Sequence, residues 1–277
     1  MARKISTIRK TTDLHFNYPN WETFVDAAIN RTNQSNSTAS RRKSFSTKWY
    51  DTNTFYGTKT FEESVYLAQH GWPEGLVQLE KHQLKLGNLL PTPEVSKLIQ
   101  YMDYVGPGTV DFDRYIVGHP ESLVTYKSEI QESKDFVDIL FNGAVSAGIS
   151  TDQIIQKGAL VTSLIDILEK HNIRVRLTLV YAWKQESHYI FINVQLKNYN
   201  ESLDKEKIVF AIAHPSSCRR LAFSVMVQDQ YLHTRYGYPV EYPHTDKEIY
   251  VDKSLLGEYT GINFVKQQLV KYSIGVE

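Results

Sequence analysis

The stretch from Asp135 to Lys184, DFVDILFNGAVSAGISTDQIIQKGALVTSLIDILEKHNIRVRLTLVYAWK, constrains the fold more than any other part of the chain. Phe136 to Phe141 is a short apolar run with branched Val137 and Ile139, as a buried strand requires. Gly143 and Gly148 bracket a turn, and Ser150 with Gln153 has the spacing of a capping box. Apolar residues at 154, 155, 161, 164, 165 and 168 then follow a helical period with a wide buried face. Lys170, His171 and Asn172 suit a helix C-terminus. Val175, Leu177, Leu179 and Tyr181 alternate with Arg174, Arg176 and Thr178, the pattern of a second strand. A strand, a long helix and a strand make a right-handed βαβ crossover the expected topology. Gly158 stands mid-helix, where glycine is unfavourable, and a close backbone crossing would explain it.

The chain around this unit reads less sharply. Trp21, Phe24, Val25, Ala28 and Ile29 predict a short amphipathic helix, and Asn30 to Ser46 is a polar stretch expected to be a loop. Thr60 and Glu63 repeat the capping-box spacing, GWPEG (71–75) separates two helices, and Thr92-Pro93-Glu94 predicts the start of a third. Beyond the central unit, Tyr189 to Leu196 alternates Ile190, Ile192, Val194 and Leu196 with Tyr189, Phe191, Asn193 and Gln195, which predicts an antiparallel hairpin with the preceding strand. Asp204 opens a helix that His214-Pro215 stops. Leu221, Phe223, Val225 and Val227 read as a strand, 249–251 as another, and Ile262 to Tyr272 as a terminal helix. The division expected is a basic, partly flexible arm (1–48), a helical region (49–120) and an α/β domain (121–277). The fold class is α/β, a mostly parallel twisted sheet with an antiparallel hairpin edge.

Charge is balanced overall at 31 basic and 31 acidic residues but not along the chain. The first 50 residues carry nine Lys or Arg against three acids. Arg3, Lys4, Arg9, Lys10, Arg41, Arg42, Lys43 and Lys48 are therefore candidate contacts for a nucleic-acid backbone, the other reading being a solvated linker. The single cysteine, Cys218, excludes an internal disulfide framework and fits a reducing compartment. No signal-peptide segment or run of membrane-spanning length is present, so a cytoplasmic protein without a membrane partner is expected.

The element order from Asp135 onward resembles the von Willebrand factor A fold. That family's metal site has the form Asp-x-Ser-x-Ser at the end of the first strand, and here the place reads Asn142-Gly143-Ala144-Val145-Ser146. With the aspartate and the first serine replaced, the resemblance implies the fold without its metal, since a hard cation wants charged oxygen ligands. It also makes the loop face with Asn142, Ser146 and Ser150 a candidate partner-binding surface. A wider set of segments, FYGTKTFEESVYLAQHGWPEG, RYIVGHPES, the central core and AHPSSCRRLAF, resembles an uncharacterised family of tailed bacteriophages. This resemblance implies a product made in the cytoplasm of an infected bacterial host and directs attention to viral replication or transcription.

No phosphate-binding glycine loop and no dinucleotide fingerprint is present. No metal set is legible among the scattered histidines, and no cofactor is implied. Cys218 beside His214 and two arginines is conceivable as a nucleophile but has the usual features of a core cysteine. Arg219 and Arg220 are a candidate anion contact or a salt-bridging pair. Three functions stay open. One is a non-enzymatic protein that binds single-stranded nucleic acid, a phage polymerase or a replication protein. The second is a protein-interaction module. The third is an enzyme with a site among Asp111, Asp113, His119, Asp204 and His214.

Overall fold

The computed structural model describes residues 3–8, 11–33, 55–87, 98–102, 109–127, 135–185, 188–226, 237–252, 254–255, 258–272 and 274. Strands β1 (Arg3–Ile8) and β2 (Thr11–Tyr18) open the chain and are followed by α1 (Trp21–Asn33). Helices α2 (Phe61–His70) and α3 (Pro73–Gly87) meet at the glycine-proline break, Gly71 adopting φ +91°. Strands β3 (Leu98–Met102), β4 (Thr109–Val110) and β5 (Leu123–Lys127) form a small antiparallel sheet, with the short α4 (Phe112–Ile116) before β5. The central unit is β6 (Asp135–Asn142), α5 (Thr151–Lys170) and β7 (Ile173–Gln185). Strand β8 (His188–Lys197), α6 (Lys205–Ala213) and a π-helical turn (Ser217–Ala222) leading into α7 (Phe223–Met226) come next. The chain ends with β9 (Tyr238–Pro239), β10 (Ile249–Val251) and α8 (Glu258–Lys271).

The large sheet runs in the order β1-β2-β8-β7-β6-β10, with β9 also on β7. Strands β6 and β7 are parallel with Val137 opposite Val175, and β10 lies parallel on the other side of β6. Strands β7 and β8 form the expected antiparallel hairpin. The fold is therefore mixed α/β. The capping box is closed in both directions, Gln153 N–H donating to Ser150 Oγ and Ser150 N–H to Gln153 Oε1. Asn172 takes φ 60° just after the helix, the left-handed geometry that lets the chain turn into β7. Gly158 is where α5 crosses α6: a Cβ there would lie 3.0 Å from Cβ of Ala213.

Four expectations are corrected. Residues 3–8 and 11–18 form paired strands rather than an arm, because Leu14, Phe16 and Tyr18 alternate into the core and β2 pairs in parallel with β8. The start expected for a third helix, Thr92 to Glu94, lies outside the described residues, and Leu98–Met102 beyond it is strand β3 rather than helix. The strand expected at 221–227 is helical through Met226, because Cys218, Leu221, Ala222, Val225 and Met226 recur at a helical spacing and are all buried. The large sheet takes strands from both ends of the chain, so it does not follow boundaries at 48 and 120.

Candidate nucleic-acid interface

Register assigns the two faces of the large sheet. Val137, Ile139 and Phe141 of β6 share one face with Val175, Leu177 and Leu179 of β7, with Ile190, Ile192 and Val194 of β8, and with Leu14, Phe16 and Tyr18 of β2. All of these belong to one core cluster with buried residues of α1, α2, α3, α5, α6, α7 and α8. Helices therefore cover this face.

The opposite face has a different character. Buried Leu140, Val180, Ala182 and Phe191 lie there, outside that cluster. The segment 237–252 shelters them: Tyr242 meets Phe191 edge-on at 5.5 Å, and Asn142 Nδ2 donates to the Val240 carbonyl and to the Tyr250 hydroxyl. Around this patch aromatic rings form a ladder across strands. His15 of β2 lies 4.9 Å from Phe191 of β8, and Phe191 is stacked with Tyr189 at 6.2 Å and 8°. The Lys184 ammonium sits 5.0 Å from the Tyr189 ring centre, and the Tyr189 hydroxyl raises its pKa. Tyr238 pairs with Lys184 across β9 and is 59% exposed. At the far end of the face Phe136 is 63% exposed and packs edge-on against Tyr199.

Charge on this face is partly spent internally. Arg176 is bidentate to Asp138, with both contacts at 2.7 Å, and its guanidinium lies over the Tyr199 ring. The Tyr199 hydroxyl donates to the same carboxylate, and burial, then that bond, pushes its pKa up to about 12. Arg174 is exposed on the same edge. Phe191 itself is buried beneath Tyr242, so the rings that reach the surface beside these cations are His15, Tyr189 and Tyr238, and unpaired bases stack on exposed rings whatever their sequence.

Most of the residues singled out from sequence lie elsewhere. Arg9, Lys10, Arg41, Arg42, Lys43 and Lys48 fall outside the described residues. Arg3 and Lys4 belong to β1, where Lys4 pairs with His15. Asn142 is fully buried and accepts from Ala144 N–H, Ser150 caps α5, and Ser146 is exposed. Arg219 donates to the carbonyls of Phe55, Ser146, Ala147 and Ile149, which ties down the turn after β6. Arg220 donates to the Thr58 carbonyl and lies over Tyr56. Both guanidiniums thus serve main-chain carbonyls in the structure.

Asp111 and Asp204 cap α4 and α6. Asp113 and His119 sit on and just after α4, His119 accepting from Glu121 N–H. His214 is enclosed, stacked on Phe210 and edge-on to Trp72, and burial lowers its pKa to about 3. Burial pushes the Cys218 thiol up to about 11, the reverse of what a nucleophile needs. Among the described residues no three His, Cys, Asp or Glu side chains gather as a metal set. At the turn that resembles a degenerate metal site the charges are the chain's own: the Lys157 ammonium donates to the Asn142 carbonyl at 2.7 Å. No described helix is long and apolar enough to cross a membrane.

Sequence reasoning noted the alternation of Tyr189 and Phe191 but missed their partners. Only the pairing of β2 with β8 brings His15 beside Phe191. The model of one family, a domain of unknown function (DUF7192), matches residues 5–275. The chain belongs to the DUF7192 family. That match runs from β1 to the residues after α8 and passes through both of the expected domain boundaries. The hairpin from Ile5 onward, the small sheet and the βαβ unit therefore lie within the DUF7192 match. No curated protein and no solved structure matches the chain.

Proposed function

We propose that this DUF7192 protein is a non-enzymatic binding protein for single-stranded nucleic acid, with the face without core helices as its platform. The observation that carries the reading is the pair of part-exposed rings His15 and Tyr189, backed by buried Phe191, with Lys184 over the outer ring. Aromatic faces interleaved with cations hold single strands in sequence-tolerant fashion, whereas duplex keeps its bases stacked and out of reach. The resemblance to a tailed-phage family supports placing this activity in viral replication or transcription in the host cytoplasm, with a polymerase or replication protein nearby. A von Willebrand factor A-like core would then serve as scaffold.

A second reading, a protein-interaction module, has its own observation. Phe112, Tyr115, Ile116 and Val117 on and after α4 are all exposed, an apolar cluster on a short helix.

Fluorescence anisotropy with a labelled thymidine oligonucleotide, set against the matching duplex, separates the two. The expected result is preference for the single strand and a loss of about 1–3 kcal/mol for Tyr189→Ala or Tyr238→Ala. No binding at low salt, or full affinity in both variants, would remove the nucleic-acid reading and leave the interaction module.

A further inference from the structure

On β8 the residues of the platform face run Tyr189, Phe191, Asn193, Gln195, and Gln195 also lines an open cleft of about 620 Å³. This cleft lies just outside the carboxyl ends of the parallel pair β2 and β8, a usual place for ligands in open α/β sheets. Its volume is in the range of small-molecule sites, about 300–1,000 Å³. Between ladder and cleft the strands are joined by polar side chains: Asn193 Nδ2 donates to Asn17 Oδ1 at 2.8 Å, one step before Gln195.

The lining sets the ligand chemistry. Asn20, Gln195 and Ser202 offer neutral donors and acceptors, while Glu22, Glu201 and Asp204 bring three carboxylates. Lys207, within 3.5 Å of Glu22, and buried Lys197, bonded to Glu169 of α5, oppose them. A terminal phosphate entering here would face an excess of negative charge. Sugar hydroxyls and base amino groups would instead find acceptors. We infer that the cleft receives the end of a single strand, selecting a terminal nucleoside with a free hydroxyl over one that carries a phosphate. This rests on the nucleic-acid reading of the adjoining face and adds end recognition to it.

The test compares four thymidine strands in one anisotropy assay: hydroxyl at both ends, phosphate at the 5′ end, phosphate at the 3′ end, and a circle without ends. One phosphorylated end and the circle should each bind roughly tenfold more weakly than the hydroxyl-ended strand, the scale of a like-charge contact at a partly exposed site. The unpreferred end should tolerate its phosphate, which identifies the polarity of the track. Glu201→Gln, an exposed change that keeps an acceptor, should narrow the discrimination between phosphorylated and hydroxyl ends. Equal affinity for all four strands overturns end recognition while sparing the platform. Absence of binding by all four overturns both.

Discussion

The Lys157 ammonium donates to the main-chain carbonyl of Asn142 at 2.7 Å and, with 1% of the residue exposed, sits wholly inside the protein. Its neighbour on the other side is the ring of Phe141 at 4.7 Å. Burial lowers its pKa from 10.5 to about 7, with Asp252 acting in the opposite direction.

That shift fixes a pH dependence. Between the folded value near 7 and the unfolded value near 10.5 the unfolded chain binds the extra proton, so stability rises with pH. The slope approaches about 1.4 kcal/mol per pH unit for a single proton. Cys218, whose folded pKa is raised from 9.0 to about 11, works against the rise once pH passes 9. Urea unfolding at pH 7, 8 and 9 should therefore show wild type gaining stability, with most of the gain gone in Lys157→Met. Parallel profiles for the two proteins would mean that Lys157 stays charged inside the fold.

His214 titrates in the acid range by the same logic. Its folded pKa is near 3 against an ordinary 6.5, so the unfolded state takes up a proton first as pH falls. The stability of the neutral buried ring is fully present above about 6.5 and is lost progressively down to pH 3. His214→Gln should start less stable, because it gives up the contacts with Phe210 and Trp72, yet lose less on going from pH 6.5 to 4.5. An equal loss in both proteins would show that carboxylates alone govern the acid limb.

At Gly158 the helix crossing sets a steric limit. An added Cβ already meets Ala213 at 3.0 Å and Ile212 at 3.4 Å, so a leucine must push α6 away from α5. Gly158→Leu is expected to cost roughly 1–3 kcal/mol through overpacking. An unchanged thermal midpoint would mean that the two helices separate without cost.

The central unit was legible because several local signals agreed. The box at Ser150 and Gln153, the helical spacing from Ile154 and the stop at Asn172 all specify one helix between two strands. Residues 217–226 were not legible. Leu221, Phe223 and Val225 alternate like a strand while Cys218, Leu221, Ala222 and Val225 repeat like a helix, and burial of nearly every position removes the polar face that would decide. In the β1–β2 hairpin the charge of the first residues hid the alternation of Leu14, Phe16 and Tyr18. The platform was half visible. Tyr189 and Phe191 declare an aromatic face, but Asn17 and Asn193 are 176 positions apart and no local pattern pairs their strands.

The salt dependence of binding separates the platform from the basic segment of residues 41–48. Among the described residues of the platform, Arg176 is neutralised by Asp138, which leaves Lys184 beside the aromatic ladder, Lys4 opposite His15 on β1 and Arg174 at the far edge. On a single strand each phosphate contact contributes about 0.7 to the slope of log K against log salt. Lys184→Ala should therefore lower the slope by about 0.7, and Tyr189→Ala should weaken binding with no change of slope, since stacking releases no counterions. Replacing Arg41, Arg42 and Lys43 together with alanine should lower the slope by about two units if all three meet phosphates. Anisotropy titrations of these variants at several salt concentrations give the slopes directly. A slope unaltered by the triple variant makes that segment a linker and leaves recognition to the sheet. A slope unaltered by Lys184→Ala, with affinity unaltered by Tyr189→Ala, removes the sheet face from the interface altogether.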